Sequence, residues 1–199
     1  MTERRVVANI SLSLDGRVNG AGGDYDMGWI APHAVTDGAR DHMIAVTEPA
    51  TTVLLGRKNF EGFSGYWPGV ADDASADPRD RAFSAWLTAV DKVAFSRTIT
   101  DSTWDHARVT DADPVTEVAR LRTEPGGDII VLASGSIIRA LLAADAVDRL
   151  SVTLCPVVVG GGARLFEDGV PLTTLALTSL TPTESGAVCL LYDRVPTTP

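Results

Sequence analysis

The sequence predicts an α/β protein built on a largely parallel sheet, with an antiparallel pair of strands at its C-terminal edge. Three observations carry that reading. Short apolar, β-branched runs alternate with stretches of helical periodicity over most of the 199 residues. The stretch Asp128–Phe166 contains a complete strand–turn–helix–strand unit. Two strand-like runs, Leu175–Leu180 and Val188–Val195, then close the chain around Ser185-Gly186 with no helix between them.

Taken in order, Arg5–Leu14 (RVVANISLSL) is rich in β-formers and ends in an Asp15-Gly16 turn. Val18–Pro32 is glycine-rich and too long for a tight connection, which points to a binding loop folded over something by Trp29 and Ile30. Thr36–Glu48 reads as a helix with Ala39, Met43, Ile44 and Val46 on its apolar side. Thr51–Leu55 is a buried strand running into Gly56-Arg57-Lys58-Asn59. Phe63–Pro78, rich in Gly, Asp and Pro, is read as a surface loop and a candidate lid. Asp77-Pro78 supplies an N-cap and first helical residue for a helix through about Leu87, and Asp113-Pro114 does the same for a helix to about Thr123. Lys92–Phe95 and the segment around Asp105–Val109 are short strands. Pro125-Gly126-Gly127 resets the chain for the buried run Ile129–Leu132. Ser134-Gly135-Ser136 turns that run into a helix with Ile137, Ile138, Leu141 and Leu142 on one side. Asp148–Val159 is the next strand, closed by Gly160-Gly161-Gly162. Within it, Leu150–Val159 is very apolar for an edge and would invite pairing with another chain.

Residues 1–199 are enough for one ordinary domain, with 45% hydrophobic and 22% charged residues. A net charge of −9 argues against nucleic acid and anionic membrane as partners, because phosphate backbones need a basic face. A small phosphorylated ligand needs only a few placed arginines. Cys155 and Cys189 sit in apolar runs and read as reduced core residues, and no Cys/His spacing suits zinc. With no signal-like start and no run near 18 apolar residues, the expected location is cytoplasmic.

Three strand ends carry small or basic residues: Gly56-Arg57-Lys58, Ser96-Arg97-Thr98 and Ser134-Gly135-Ser136. In open α/β sheets ligands bind beyond the carboxyl ends of the strands. Adjacent strands would bring these corners into one crevice, where helix N-termini, hydroxyls and two arginines suit a ligand with several phosphates. Arg57 and Arg97 could fork onto a 2′-phosphate, which favours NADPH over NADH.

At these positions the sequence resembles a known family. SLDGR after the first strand, LLGRKNFE, SRT and VLASGS…PVVVGGGARLF are similar to the dihydrofolate reductase-like fold, and within it to the C-terminal reductase domains of bifunctional riboflavin biosynthesis proteins. The resemblance runs from about Val6 to Tyr192. It implies a three-layer αβα fold, a homodimer, and an NADPH-dependent reductase that delivers hydride to a C=N or C=O group of a small substrate. It also implies that Gly56, Arg57 and Lys58 form a phosphate-binding corner and that Ser96, Arg97 and Thr98 grip the adenosine ribose phosphate. Gly135 and Ser136 match the pyrophosphate turn, and Asp15, Gly16 and Trp29 the loop flanking nicotinamide and substrate.

The sequence departs from the family at several points. Riboflavin-pathway reductases carry Glu where this chain has Ala133, and no zinc deaminase segment is present. Dihydrofolate reductases have Gly-Gly where this chain has Ser134-Gly135, and a carboxylate on the first helix, near which Asp41 falls. If the reaction needs a proton donor, Asp41 acting through water is the first candidate and Asp15 the second. His33, His42 and His106 show no partner in the sequence and receive no role. Two other readings stay open: a dihydropterin reductase-like activity, and a nucleotide-binding protein without turnover.

Overall fold

The N-terminal strand sits in the middle of the sheet. In the computed structural model, which describes residues 4–195, β1 (Val6–Ser13) lies between β5 (Asp128–Leu132) and β6 (Arg149–Cys155), parallel to both. Beyond β5 come β2 (Ala50–Gly56), β3 (Asp91–Phe95) and β4 (Ala107–Thr110), all parallel. Beyond β6, β8 (Val188–Arg194) and β7 (Leu175–Pro182) extend the sheet antiparallel. The order is β4-β3-β2-β5-β1-β6-β8-β7.

Alternation of side chains along the central strands builds two cores. Val6, Ala8, Ile10 and Leu12 face α5 (Pro114–Arg122) and α6 (Gly135–Ala143), which contribute Val118, Leu121, Ile138 and Leu141. Val7, Ile130 and Leu132 face the opposite layer, where α2 (Asp37–Thr47), α3 (Arg57–Tyr66) and α4 (Pro78–Ala89) contribute Val46, Phe60, Phe83 and Leu87. The result is helix, sheet and helix in three layers, the dihydrofolate reductase-like arrangement. A short helix, α1 (Ala31–Ala34), interrupts the long loop after β1. The expected caps form: Thr36 Oγ1 accepts from the Ala39 N–H, Asp77 from Arg79, and Asp113 from Val115 and Thr116.

Three expectations need correction. Phe63–Pro78 is not one surface loop: α3 continues to Tyr66 and a 3₁₀ turn follows at Trp67–Gly69. Trp67 is the reason, since its ring meets Phe83 of α4 edge-on at 4.6 Å between centroids and Phe63 at 6.4 Å. A segment anchored in that way is packed on α4, and it lines neither cavity described below. The strand expected over Asp148–Val159 stops at Cys155, because Pro156 follows and Asp15 takes the Val159 and Gly160 N–H groups away from any ladder. Lastly, β6 is an interior strand, paired on both sides, so Leu150–Val159 is not the exposed edge its apolarity suggested.

Candidate active site

β3, β2 and β5 are neighbours, so their carboxyl ends lie side by side. A crevice of about 770 Å³ runs along them and is lined by Gly56 through Asn59, Ser96 through Thr98 and Ala133 through Ile137. Residues Thr110–Pro114 after β4 close one end, and Val18, Asn19 and Ala163 the other. From β4 to β1 is four strand spacings, about 19 Å. That length suits an extended dinucleotide.

Two helices open on this crevice without side-chain caps. Gly56 is the N-cap of α3 and has no side chain to offer. Ser134 is the N-cap of α6, yet its hydroxyl does not cap. The first-turn N–H groups of both helices therefore point, with the positive ends of their dipoles, at the same space.

Ser134 is 3% exposed and its hydroxyl is committed elsewhere. It donates to the Leu132 carbonyl at 2.9 Å and accepts from the Gly56 N–H at 2.9 Å and from Asn59 Nδ2 at 3.1 Å. Asn59 Nδ2 also donates to the Ala133 carbonyl at 2.6 Å, and Ala133 holds a left-handed φ of 51°. The two corners are thus stitched to each other by Ser134 and Asn59. Ser134 orders the site and does not present its hydroxyl to a ligand. Asn59 stood in the motif, but only its partners across the sheet reveal its work.

The cations divide into committed and free. Arg57 pairs with Glu61 one turn along α3, at 2.9 and 3.1 Å. Lys58 pairs with Asp24 and lies 5.8 Å over the Tyr25 ring, which ties the long loop to the first turn of α3. Arg139, which sequence reading missed, lines the crevice and donates to the Arg164 carbonyl at 3.1 Å. Ser96 is buried and accepts from the Thr98 and Ile99 N–H groups, forming a tight turn that projects Arg97 outward. Arg97 is exposed and, among the described residues, makes no ion pair or side-chain hydrogen bond.

The remaining candidates lie elsewhere. Trp29 is half-buried but outside the crevice lining, where the loop contributes Met27 instead. Asp15 accepts from Val159 and Gly160 at 3.0 Å each and from the Ser13 hydroxyl at 2.7 Å. Those bonds, Val159 first, hold its carboxyl well below the ordinary carboxylate range. Asp41 belongs to a separate cavity of about 270 Å³ between α2 and the β8–β7 edge, and its exposed carboxylate pairs with Arg79 at 3.2 Å. Neither acid lines the crevice. Asp15 is instead a clasp for the chain after β6.

Two histidines acquire partners from distant strands. His42 is buried, and its Nε2 lies 2.7 Å from Ser151 Oγ, which donates to Asn9 Oδ1 at 2.9 Å. Burial pushes the His42 pKa down. His33 Nδ1 lies 2.8 Å from Ser185 Oγ. Both cysteines are buried free thiols, and burial pushes Cys155 up to about 11, far from reactive thiolate.

The chain thus sets two uncapped helix N-termini over the carboxyl edge of a three-layer αβα fold. The sequence profile of the RibD C-terminal domain family matches residues 4–189, and the chain belongs to that family. It is 26% identical over 193 residues to the uncharacterized protein YyaP of Bacillus subtilis (strain 168), covering 96% of each chain. Among solved structures, it resembles the diaminohydroxyphosphoribosylaminopyrimidine deaminase/5-amino-6-(5-phosphoribosylamino)uracil reductase of Thermotoga maritima at 12% identity and a TM-score of 0.64, over 97% of this chain and 57% of that one. It also resembles dihydrofolate reductase from Enterococcus faecalis, solved with NADP(H) and RAB-propyl, at 15% identity and a TM-score of 0.57, over 96% and 97%. The fold is that of these reductases. No described helix is long and apolar enough to cross a membrane.

Proposed function

We propose that the protein is an NADPH-dependent oxidoreductase that reduces a C=N or C=O group of a small heterocycle, similar in kind to 5-amino-6-(5-phosphoribosylamino)uracil reductase. The observation that supports it most is the pair of uncapped helix N-termini, α3 and α6, opening side by side on one crevice with the unpaired Arg97 at its edge. The crevice fits a nicotinamide dinucleotide: a Cβ built on Gly56 or Gly135 meets nothing closer than 3.6 Å, and the first turns of α3 and α6 carry no side-chain cap, which leaves room for a diphosphate against them. The bound cofactor would supply the hydride.

The chain's own residues hold and orient. The first turns of α3 and α6 bind the diphosphate, and Ser134 and Asn59 keep those two turns in register. Arg97 receives the adenosine 2′-phosphate. The loop fastened by Asp24 and Lys58 excludes water from the β1 end of the crevice. No acid is built into the lining near β1 apart from Asp24, which Lys58 occupies, so the proton comes from solvent. Ala133 stands where the riboflavin-pathway enzymes place a substrate-binding Glu, and this favours a substrate other than theirs.

Quenching of tryptophan fluorescence tests the reading. NADPH is expected to bind with Kd of roughly 1 μM, about −8 kcal/mol, and to be oxidised when pterins or phosphoribosyl pyrimidines are supplied. Arg97→Ala is expected to cost about 1.5–3 kcal/mol of that affinity. Absence of quenching by NADPH and NADH up to about 1 mM would remove the oxidoreductase assignment.

We also propose a homodimer. Its support is β7, an edge strand without a charged residue whose Leu177 and Leu180 are half exposed. Sizing chromatography at micromolar concentration should give twice the chain mass, and a monomer peak would refute it.

A further inference from the structure

The end of the crevice that carries Arg97 is not uniformly basic. Arg57 is neutralised by Glu61, and Asp113 spends one carboxylate oxygen on the N-terminus of α5. Asp111 is different. It lines the crevice, is exposed and, among the described residues, makes no side-chain hydrogen bond or ion pair. Its placement follows from the sheet: Phe95 pairs with Thr110 and the Ser96 N–H donates to the Thr110 carbonyl at 2.9 Å. The two chains therefore leave β3 and β4 side by side, one bringing Arg97 and the other Asp111 to the same rim. Among the described residues no ion pair joins them.

An open acid beside an open base recognises a ligand that offers both a phosphate and hydroxyl donors. A carboxylate accepts hydrogen bonds from ribose hydroxyls and repels a phosphate on the same ring. We infer that Asp111 is a specificity-determining residue: it binds the hydroxyls of the adenosine ribose and limits how far the crevice prefers NADPH over NADH. This rests on the nicotinamide dinucleotide reading above. Arg97 pulls the preference toward the phosphorylated ribose and Asp111 pulls it back, so the natural protein's preference for NADPH is moderated.

Equilibrium titration of the full chain with NADPH and with NADH, read by tryptophan quenching, gives the ratio of the two dissociation constants. Asp111→Asn is expected to shift that ratio toward NADPH by about 3- to 10-fold, the loss of one charge several ångströms from the phosphate. The shift should have two parts, tighter NADPH and weaker NADH, and Asp111→Glu should restore the natural ratio. Asp111 is exposed, so the variant should keep the natural melting temperature. A ratio unchanged within about twofold in Asp111→Asn, with both nucleotides still bound, would overturn the role of Asp111 alone. Failure of the natural protein to bind either nucleotide would overturn the cofactor reading and this inference with it.

Discussion

Replacing Gly162 by alanine is expected to destabilise the protein by about 2–4 kcal/mol and to abolish the nucleotide binding proposed above. Two effects add. Gly162 has φ of 87°, a left-handed conformation that costs any L side chain about 1–2 kcal/mol. A Cβ at this position would also stand 2.2 Å from the Asn19 carbonyl oxygen and 2.7 Å from that of Gly20. Those are backbone atoms, which cannot rotate aside. They belong to the loop that closes the crevice, where the Val18 N–H donates to Ala163 and the Ala163 N–H to Asn19 Oδ1. Relief of the clash must therefore push the loop off the segment that positions it. Gly160→Ala is the control. Its φ is 75° but a Cβ there meets nothing within 4 Å, so only the conformational cost of about 1–2 kcal/mol remains. Thermal melts of the two variants separate strain from collision. Equal losses would mean that the close approach at Gly162 carries no weight.

Lys92→Met should cost about 3–5 kcal/mol, the largest loss expected from any single ionisable residue in the chain. Lys92 is 1% exposed, and its Nζ donates to the carbonyls of Leu87 and Val90 at 2.8 Å and of Thr88 at 3.0 Å. It also lies 4.8 Å over the Trp104 ring. Leu87 and Thr88 are in the last turn of α4 and Val90 is its C-cap, so the helix itself leaves these carbonyls without donors. Methionine fills the same volume but orphans all three. Burial pushes the ammonium down to about 8, so at neutral pH it is still protonated against those carbonyls. Its folded value lies below the ordinary 10.5, so the unfolded chain binds more protons between these limits. The natural protein should accordingly gain stability as pH rises from about 8 to 10.5 relative to Lys92→Met, measured by urea titration at each pH. A parallel pH dependence in both proteins would show that the ammonium is not desolvated.

The succession of elements, the caps and the three corners were legible because each rests on residues close in sequence. A glycine at a strand end or an Asp-Pro before a helix acts locally. What escaped depends on distant chain. Asn59 gains its meaning from Ala133 and Ser134, and His42 from Ser151. The Arg57–Glu61 pair was readable at its i,i+4 spacing, whereas Lys58–Asp24 was not. Gly, Asp and Pro outweighed Phe63 and Trp67 in the reading of residues 63–78, although those two rings anchor the segment on α4. The mispositioned edge has a similar origin. Apolarity shows that β6 is buried, but a strand paired on both sides and one exposed at an edge carry the same residues.

The central place of β1 also sets the order in which the molecule can assemble. Val6 pairs with Ile129 and Val7 with Arg149, so β1 has no partner in the sheet until β5, far along the sequence, has been made. β2, β3 and β4 pair across much shorter separations and can form while β1 waits. The closing step threads one apolar strand between two others at large loop-closure cost, which makes refolding slow for a chain of this size. Until then Val6 through Leu12 stays exposed, and that interval is when a chaperone has most to gain by holding this protein.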